Sequence, residues 1–380
     1  MTDFLERIDE KIEPLVKNMD DYIRGLNPRS LGTYYDADLG GIPTQVAFNK
    51  ICQNVHDTIP PSQYITYLHT AKAIEFAKRH DFSDVCFLEY EPHEELDEIC
   101  KDAKKVGILG HHKDRDDIKE LCENDPKFTY FNPKGLGIEK IYERGVPILY
   151  PLLKVAEKHG IDVSFMGALG TRGYGYEKLF REKFSDFRAK SIDYLVDDIV
   201  LLFSHRLDNC PKIIRALEKA SDPRDESVKM LRKLCNEKKL AKKKNEIIGR
   251  AILGSKVIEE EVQVFPIASP EFQLIKPFVA ELDELRKKAG FGTTVCIQYI
   301  NNDPRRSRKI SIRTTRDADI PRLLKIAHEN QEEKNYGAHK TSGGFIASEK
   351  NMYSILENFL TAYFSGLGNS NVDLKELNSF

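Results

Sequence analysis

The chain has 380 residues, of which 41% are hydrophobic and 31% charged, a balance typical of globular proteins that bury a core. Its length suits two domains. The net charge of −2 gives no overall attraction to polyanions, so nucleic-acid binding would have to come from local basic patches. Because no apolar run reaches the roughly 18–20 residues of a membrane span, and no signal-peptide core is found, we expect a cytoplasmic protein without a membrane partner.

The cysteines indicate a reducing compartment. There are seven, an odd number, and they are scattered without a C-x-x-C pair. This pattern argues against a disulfide framework and against a zinc site. It predicts reduced thiols that serve mostly as small core residues.

Short apolar segments alternate with helical patterns in the first half of the chain. Strands are predicted within residues 33–41 and at 85–88, 106–109 and 128–131, and helices at 4–19, 43–55, 66–80, 138–158 and 176–203. An Asn-Pro turn follows the last strand at residues 132–135. The alternation predicts an α/β domain with a parallel sheet.

A basic segment precedes a second, smaller α/β domain. Between residues 229 and 250 there are nine Lys or Arg and only two acidic residues, Glu237 and Glu246, and apolar positions are sparse. We therefore expect an exposed helical connector at 226–252. Beyond it, strands are predicted at 257–267, 293–301 and 309–315, helices at 270–289, 318–330 and 351–365, and a Gly-rich turn at 337–344. The predicted organisation is a first domain at 1–225, a linker at 226–256, a second domain at 257–365 and a loose tail at 366–380.

Acidic and imidazole side chains follow the predicted strands of the first domain. They are Asp36 and Asp38 after one strand, Glu89 and Glu91 after another, and His111 and His112 after a third. In an open parallel sheet the ligand site lies outside the carboxyl ends of the strands, so these groups could converge. Carboxylates and imidazoles suit Mn²⁺ or a similar ion, and two such ions would suit phosphoester hydrolysis. The alternative is that they are surface turn residues, where Asp is common.

These motifs, in this order, resemble the DHH phosphoesterases, which include the RecJ nucleases. The Asp-x-Asp and Gly turn, the acid after a strand, the His-His pair and the Asn-Pro turn are followed by Gly-Ala-Leu-Gly at residues 167–170. Residues 337–344, and the strand at residues 311–313, resemble the Gly-Gly-His signature of the DHH-associated C-terminal domain. The resemblance covers most of the chain and implies a DHH domain followed by its associated domain.

The metal ligands of the family are altered here. The first motif is His-x-Asp-x-Asp, and Tyr34 stands at the His position; the third is Asp-His-His, and Gly110 stands at the Asp position. A fourth Asp falls near Tyr174, and Glu89 replaces the Asp of the second motif, a change that a metal site survives. Three lost ligands imply that two ions roughly 3.5–4 Å apart cannot be held. Arg172, beside the last position, is expected to add positive charge where cations should bind.

Two interpretations follow from the resemblance, and we favour the first. The chain resembles archaeal RecJ-like proteins that correspond to the Cdc subunit of the CMG helicase (Cdc, MCM, GINS), which implies an inactive replication factor that binds GINS beside the MCM helicase and needs no cofactor. Alternatively, Asp36, Asp38, Glu89 and His111, with His112 beside them, form a weak remnant site for Mn²⁺ or Mg²⁺. Such a site would hydrolyse single strands or a small phosphorylated substrate. Nuclease activity in Mn²⁺ distinguishes the two.

Basic residues of the second domain are candidates for contact with single-stranded DNA. Residues 305–316 contain no acid and carry Arg305, Arg306, Arg308, Lys309, Arg313 and Arg316. Backbone N–H groups at Gly343 and Gly344 could also contact phosphates, and by resemblance Arg313 and His339 face the groove for the strand. A solvated charged loop explains the run equally well. We expect weak, salt-sensitive binding without sequence preference.

Overall fold

The computed structural model describes residues 3–56, 64–67, 79–80, 82–89, 99–110, 116–142, 145–269, 272–299, 307–329, 331, 336–339, 341–369, 372–374 and 377. The chain divides into two compact units. One comprises Met1–Phe203 and Leu207–Glu237, and the other comprises Ser204–Arg206 and Lys238–Phe380. Among these described residues, no helix combines the length and the apolar character that a membrane span requires.

The first unit is built on a parallel sheet of five strands in the order β2-β1-β3-β4-β5. The strands are β1 (Leu31–Asp36), β2 (Tyr64–Tyr67), β3 (Asp84–Leu88), β4 (Lys105–Leu109) and β5 (Phe128–Phe131). The predicted parallel α/β fold is therefore confirmed. The strand order reverses between β1 and β3, and ligands of such sheets bind outside the carboxyl ends of the strands at this reversal.

Helices pack around this sheet. They are α1 (Asp3–Arg24), α2 (Gly41–His56), α3 (Asp116–Asn124), α4 (Leu149–Lys158), α5 (Ser164–Gly173), α6 (Glu177–Lys183), α7 (Ala189–His205), α8 (Cys210–Glu218) and α9 (Glu226–Glu237). The apolar stripe predicted for α1 is buried at Ile8, Ile12 and Met19, and α1 packs against α4. Six of the seven cysteine side chains of the chain are buried, which confirms their predicted use as core residues.

The second unit contains a mixed sheet of six strands in the order β10-β11-β9-β8-β7-β6. The strands are β6 (Lys256–Ile258), β7 (Val262–Ile267), β8 (Thr293–Tyr299), β9 (Arg308–Thr314), β10 (Tyr336–His339) and β11 (Ser342–Ala347), and the helices are α10 (Leu240–Leu253), α11 (Lys276–Lys288), α12 (Ile320–Ala327) and α13 (Glu349–Gly366). On one face of the sheet, Ile310 and Ile312 join a core with α12 and α13. This separate α/β fold is the one that the sequence predicts.

The predicted helical connector is two helices, and they belong to different units. Lys239 lies between α9 and α10 with a left-handed backbone (φ 52°), which ends the helical run. Each helix buries one face, at Leu231 and Cys235 in α9 and at Ile247 and Ile248 in α10. The expectation of an exposed connector is therefore wrong, because even sparse apolar residues, spaced three or four apart, suffice to bury one stripe.

Other predicted elements are divided or shifted. Residues 138–158 form a short 3-10 turn and α4, residues 176–203 form α6 and most of α7, and residues 257–267 form the β6–β7 hairpin. Residues 64–67 form β2, where a helix at 66–80 is predicted, and residues 68–78 lie outside the described residues. The Gly-rich turn predicted at 337–344 is the β10–β11 hairpin. The tail is not loose throughout, since Leu377 is buried in the core of the second unit.

A buried arginine of α11 binds the start of β8. The side chain of Arg286 is fully buried, and its guanidinium donates to Asp283 Oδ1 at 2.6 Å, to Thr294 Oγ1 at 2.9 Å and to the carbonyl oxygen of Phe291 at 2.6 Å. Burial raises the pKa of Asp283, but hydrogen bonds from Arg286, Lys287 and Thr294 outweigh it and hold that pKa below its usual value. The ion pair therefore has the hydrogen bonds that a buried pair needs.

We expect Arg286→Met to lower the free energy of unfolding of the second unit by about 3–5 kcal/mol, because the change leaves a buried carboxylate without its main partner. The matched control is Arg316→Met, which removes a half-exposed pair with Glu261 and should cost less than about 1 kcal/mol. Urea denaturation followed by circular dichroism measures both. Equal costs for the two variants would contradict this account of the core.

Candidate functional site

The ends of β1 and β3 place two acidic residues side by side in the sheet. Asp36 ends β1, and Glu89 directly follows β3, the neighbouring strand. Glu89 is buried, accepts a hydrogen bond of 3.5 Å from Thr44 Oγ1, and has a left-handed backbone (φ 59°). A left-handed non-glycine residue is strained, and such strain is concentrated at functional sites. The structure thus places both predicted residues at the reversal of the strand order.

Asp38 lies in the turn between β1 and α2 and caps the helix. Its Oδ1 accepts hydrogen bonds from the backbone N–H of Gly40 at 2.8 Å and of Gly41, the first residue of α2, at 2.9 Å. A carboxylate at this position satisfies N–H groups that have no partner within the helix and complements the positive end of the helix dipole. Part of the role of Asp38 is therefore structural.

Tyr174, predicted to stand near a lost ligand, contacts the same carboxylate. It follows the last residue of α5, and its hydroxyl donates a hydrogen bond to Asp38 Oδ2 at 2.8 Å. Its ring lies directly against Gly40, where an added Cβ would overlap the ring atoms. The ring of Tyr174 can occupy this position only because residue 40 is a glycine and has no side chain.

The hydroxyl of Tyr174 keeps its proton. Burial raises the pKa of Tyr174 well above its usual range, and the negative charges of Asp38, Glu89 and Asp36 raise it further. These effects all favour the neutral phenol. At neutral pH it is a hydrogen-bond donor and cannot act as an anionic metal ligand.

The other altered positions lie elsewhere. Tyr34 is fully buried and stacks on Phe87, its partner on β3, with ring centroids 5.1 Å apart, so it belongs to the hydrophobic core of the first unit. The backbone N–H of Gly110 donates to the carbonyl oxygen of Phe131 at 3.0 Å and continues the sheet. Glu91, His111 and His112 lie outside the described residues.

Arg172 does not contribute the free positive charge that the sequence predicts. Its Nε and Nη2 donate to the carboxylate of Asp193 at 2.5 and 3.0 Å, and it also forms an ion pair with Glu177. Two carboxylates thus neutralise its charge. The expectation is wrong because both partners come from α6 and α7, beyond the motif that suggested it.

The described residues do not fit a two-metal centre. Asp38 already accepts hydrogen bonds from three donors, and Tyr34 is a core residue. In the described part of the chain, no three His, Cys, Asp or Glu side chains are grouped so that they could hold a metal ion. Two-metal catalysis needs several anionic or imidazole ligands directed at the ions.

The second unit has an open polar face on its sheet. Burial alternates along β9, so that Ile310 and Ile312 face the core while Lys309, Ser311 and Arg313 lie on the opposite face. A cavity of about 310 Å³ is lined there by residues of β9, β10 and β11, including Lys309 and Ser311. The buried Nε of Arg313 has no hydrogen-bond partner among the described residues, a state that a bound anion would relieve.

Several residues that are predicted to contact nucleic acid have structural roles in the second unit. Arg308 is buried, donates to Glu349 Oε1 at 2.8 Å, and lies over the ring of Tyr299, so it is not available to a phosphate. A Cβ at Gly343 would crowd α12, and one at Gly344 would overlap the backbone of Ile310. His339 pairs with Ser342 in the hairpin register, and Arg305 and Arg306 lie outside the described residues.

Two residues of the site do not emerge from the sequence. Thr44 reaches Glu89 from the first turn of α2, and Gly40 makes room for Tyr174. The only signal for Gly40 is the Gly-Gly pair after Asp38, which a turn also explains. Nothing in the sequence distinguishes Thr44 from an ordinary helix residue.

Comparison with known proteins identifies the fold. A DHH-domain protein, described as a member of a family of ribosomal proteins, is similar with a TM-score of 0.67 at 13% identity, over 96% of this chain and 92% of that one. RecJ from Thermus thermophilus in complex with Mn²⁺ gives 0.61 at 14% identity, over 93% of this chain and 54% of that one. Exonuclease RecJ bound to manganese is similar with a TM-score of 0.57 at 13% identity, over 92% of this chain and 93% of that one. No family model and no curated protein matches the sequence.

The DHH and RecJ resemblance predicted from the motifs is confirmed at the level of the fold. The chain spans about half of the Thermus RecJ and nearly all of the other two proteins. At 13–14% identity the likeness establishes the fold alone. The activity has to be argued from the residues of this chain.

Proposed function

We propose that this protein is a catalytically inactive, RecJ-like DNA replication factor that binds GINS in a helicase assembly and contacts single-stranded DNA. The observation that carries the first part is the hydrogen bond from Tyr174 to Asp38. It supports inactivity because a neutral phenol stands beside a carboxylate that a two-metal nuclease would use as a ligand.

The manganese complexes of the RecJ structures provide the contrast. Those proteins have a similar fold and hold Mn²⁺, whereas here the Asp38 carboxylate accepts hydrogen bonds from N–H and O–H donors. The alternative is residual hydrolysis of single strands, or of a small phosphodiester, by a remnant site with Mn²⁺ or Mg²⁺. Asp36 and the buried Glu89 favour this alternative, because two carboxylates remain at the strand ends.

We expect no metal-dependent hydrolysis of single-stranded DNA above background, because Tyr34, Gly110 and Tyr174 stand where the family has ligands. The measurement follows a labelled oligonucleotide in Mn²⁺, in Mg²⁺ and in EDTA. Asp36→Ala is the matched control, since any contaminating nuclease is insensitive to it. Activity in Mn²⁺ that disappears in Asp36→Ala would establish the remnant enzyme instead.

The open face of the second unit supports contact with DNA. Lys309 lines the cavity on this face, Arg313 lies on the same face of β9, and the buried Nε of Arg313 has no hydrogen-bond partner among the described residues. Phosphate contacts of this kind carry no sequence information, and salt weakens them because bound counterions are released from the strand. We therefore propose weak, sequence-independent binding at this face, with Arg305 and Arg306 beside it in sequence.

The triple variant Arg305→Gln, Arg306→Gln and Arg313→Gln should flatten the salt dependence of single-strand binding. Each lost phosphate contact lowers the slope of log K against log salt by roughly 0.7, so the slope should fall by about 2. Arg316→Gln is the control, because Glu261 already pairs with Arg316. Fluorescence anisotropy at several salt concentrations measures both, and an unchanged slope in the triple variant places the contact elsewhere.

The proposed partner is GINS, with the MCM helicase as the wider assembly, and this part rests on the resemblance of the motifs. The second unit is the proposed docking unit because it exposes large apolar side chains at Leu253 and Ile326. The helix α1 is another candidate docking surface, but its apolar residues are buried in the core of the first unit.

The full chain should bind GINS from the same organism in EDTA, with micromolar or tighter affinity, and Asp36→Ala should bind equally well. Leu253→Ser or Ile326→Ser should weaken the complex at least about 10-fold, roughly 1.4 kcal/mol, if the exposed side chain is buried in it. Met230→Ser is the matched control, an exposed apolar residue of the first unit. Calorimetry measures every variant. If the wild-type chain does not bind GINS, the helicase interpretation is wrong. If only Met230→Ser loses affinity for GINS, the docking surface lies on the first unit.

A further inference from the structure

We propose that α10 provides a second contact for single-stranded DNA, through basic side chains that no acidic residue neutralises. These side chains belong to the basic segment between residues 229 and 250, whose charge has no part in the open face of the sheet. The inference deepens the proposed function and rests on it in one respect, the binding of single strands by the second unit.

The basic segment divides at the break between α9 and α10 into two parts with different charge. Residues 226–237, which form α9, contain three basic and two acidic residues. Residues 238–254 contain six basic residues and a single acid, Glu246. The two parts also belong to different compact units. The excess positive charge of the segment therefore lies in the second unit, the one with the open polar face.

All three basic residues of α9 have acidic partners in the first unit. The pairs are Lys229 with Glu226, Arg232 with Asp198 at 2.9 Å, and Lys233 with Glu237 at 3.9 Å. Pairs as exposed as these add little to stability, but each places a negative charge beside the positive one. A polyanion that approached α9 would therefore meet little net charge.

The basic residues of the second part are only partly neutralised. Two lysines are paired, Lys242 with Glu246 at 3.8 Å and Lys244 with Glu281 of α11 at 2.7 Å. Three others have no acidic partner in the part of the chain that the structure describes, and we call them the basic surface of α10: Lys238, Lys239 and Arg250. Lys239 and Arg250 are exposed, so that their charge is available to a ligand.

Lys239 and Arg250 lie on the same side of α10. They are separated by about three helical turns, a distance of about 16 Å along the axis. The side chains of Ile247 and Ile248, by contrast, are buried. One strand of B-form DNA carries a phosphate about every 3.4 Å along its axis. A surface of this length therefore meets several phosphates of a nucleic-acid strand.

The stability of the helix does not account for these charges. Lys238 and Lys239 directly precede the first residue of α10, where the helix dipole is positive and cations are unfavourable. Lys239 also has a left-handed backbone (φ 52°), a strained state for a residue other than glycine. A phosphate backbone, in contrast, gains affinity from each such cation, because each contact releases counterions from the strand.

The test measures the binding of a labelled oligothymidine to the full chain by fluorescence anisotropy at several salt concentrations. Replacement of the whole basic surface by Gln should lower the slope of log K against log salt by about 2, since each phosphate contact contributes roughly 0.7. The variant is Lys238→Gln, Lys239→Gln and Arg250→Gln.

The matched control removes the same number of positive charges from α9, where acidic residues already neutralise them. It should leave the slope unchanged, and it consists of Lys229→Gln, Arg232→Gln and Lys233→Gln. A variant that conserves the charge of the basic surface should also keep the slope of the wild type, because Lys and Arg both neutralise a phosphate. That variant is Lys238→Arg, Lys239→Arg and Arg250→Lys.

The fold of the Gln variant is checked by thermal unfolding followed by circular dichroism. Lys and Gln have similar helix propensities, and two of the lost charges stand at the positive end of the helix. The variant should therefore unfold at no lower temperature than the wild type. If it does not fold, Arg250→Gln alone decides, with an expected fall in slope of about 0.7.

The outcomes separate this inference from the proposed function. An unchanged slope in the folded Gln variant overturns the inference, and so does an equal fall in the α9 control. If the open-face variant at residues 305, 306 and 313 lowers the slope and the α10 variant does not, only the inference fails. If the α10 variant alone lowers the slope, the inference stands and the proposed open-face contact is wrong. A wild-type chain that binds no single strands contradicts both.

Discussion

The first unit depends on the carboxylate of Asp38, which joins three parts of the fold. It follows β1, accepts the N–H groups at the start of α2, and accepts the hydroxyl of Tyr174 at the end of α5. The close fit of the Tyr174 ring to Gly40 follows from this contact. Because one side chain satisfies a helix terminus and contacts a second helix end, Asp38 has a structural role whether or not a metal ion is present.

The layout of the fold could be predicted from the sequence because its signals are local. Buried strands such as β3 and β4 are short apolar runs, and α1 shows its stripe at helical spacing, so elements and fold class follow from periodicity. Breaks between helices could not be predicted in the same way. Apolar residues occur on both sides of the break between α9 and α10, and the left-handed backbone of Lys239, which lies between the two helices, has no sequence signature.

The candidate site was predictable in its positions but not in its contacts. The motif order placed Asp36, Asp38 and Glu89 at strand ends, where the structure has them. Charge was harder to predict, because long side chains find distant partners. Arg172 pairs with a carboxylate 21 residues away, and Arg308 with one 41 residues away, so neither presents the free positive charge that its local sequence suggests.

An acidic residue at a motif position is therefore weak evidence for catalysis. Asp38 would satisfy a motif search for a metal ligand, yet its described contacts include a helix cap and a phenol. The two roles make different demands, since a cap needs donors along the helix axis while a metal needs several ligands around one point. A chain can keep the helix cap after it has lost the metal site. The same fold can therefore carry different functions, and the function has to be argued from the contacts of the residues in each chain.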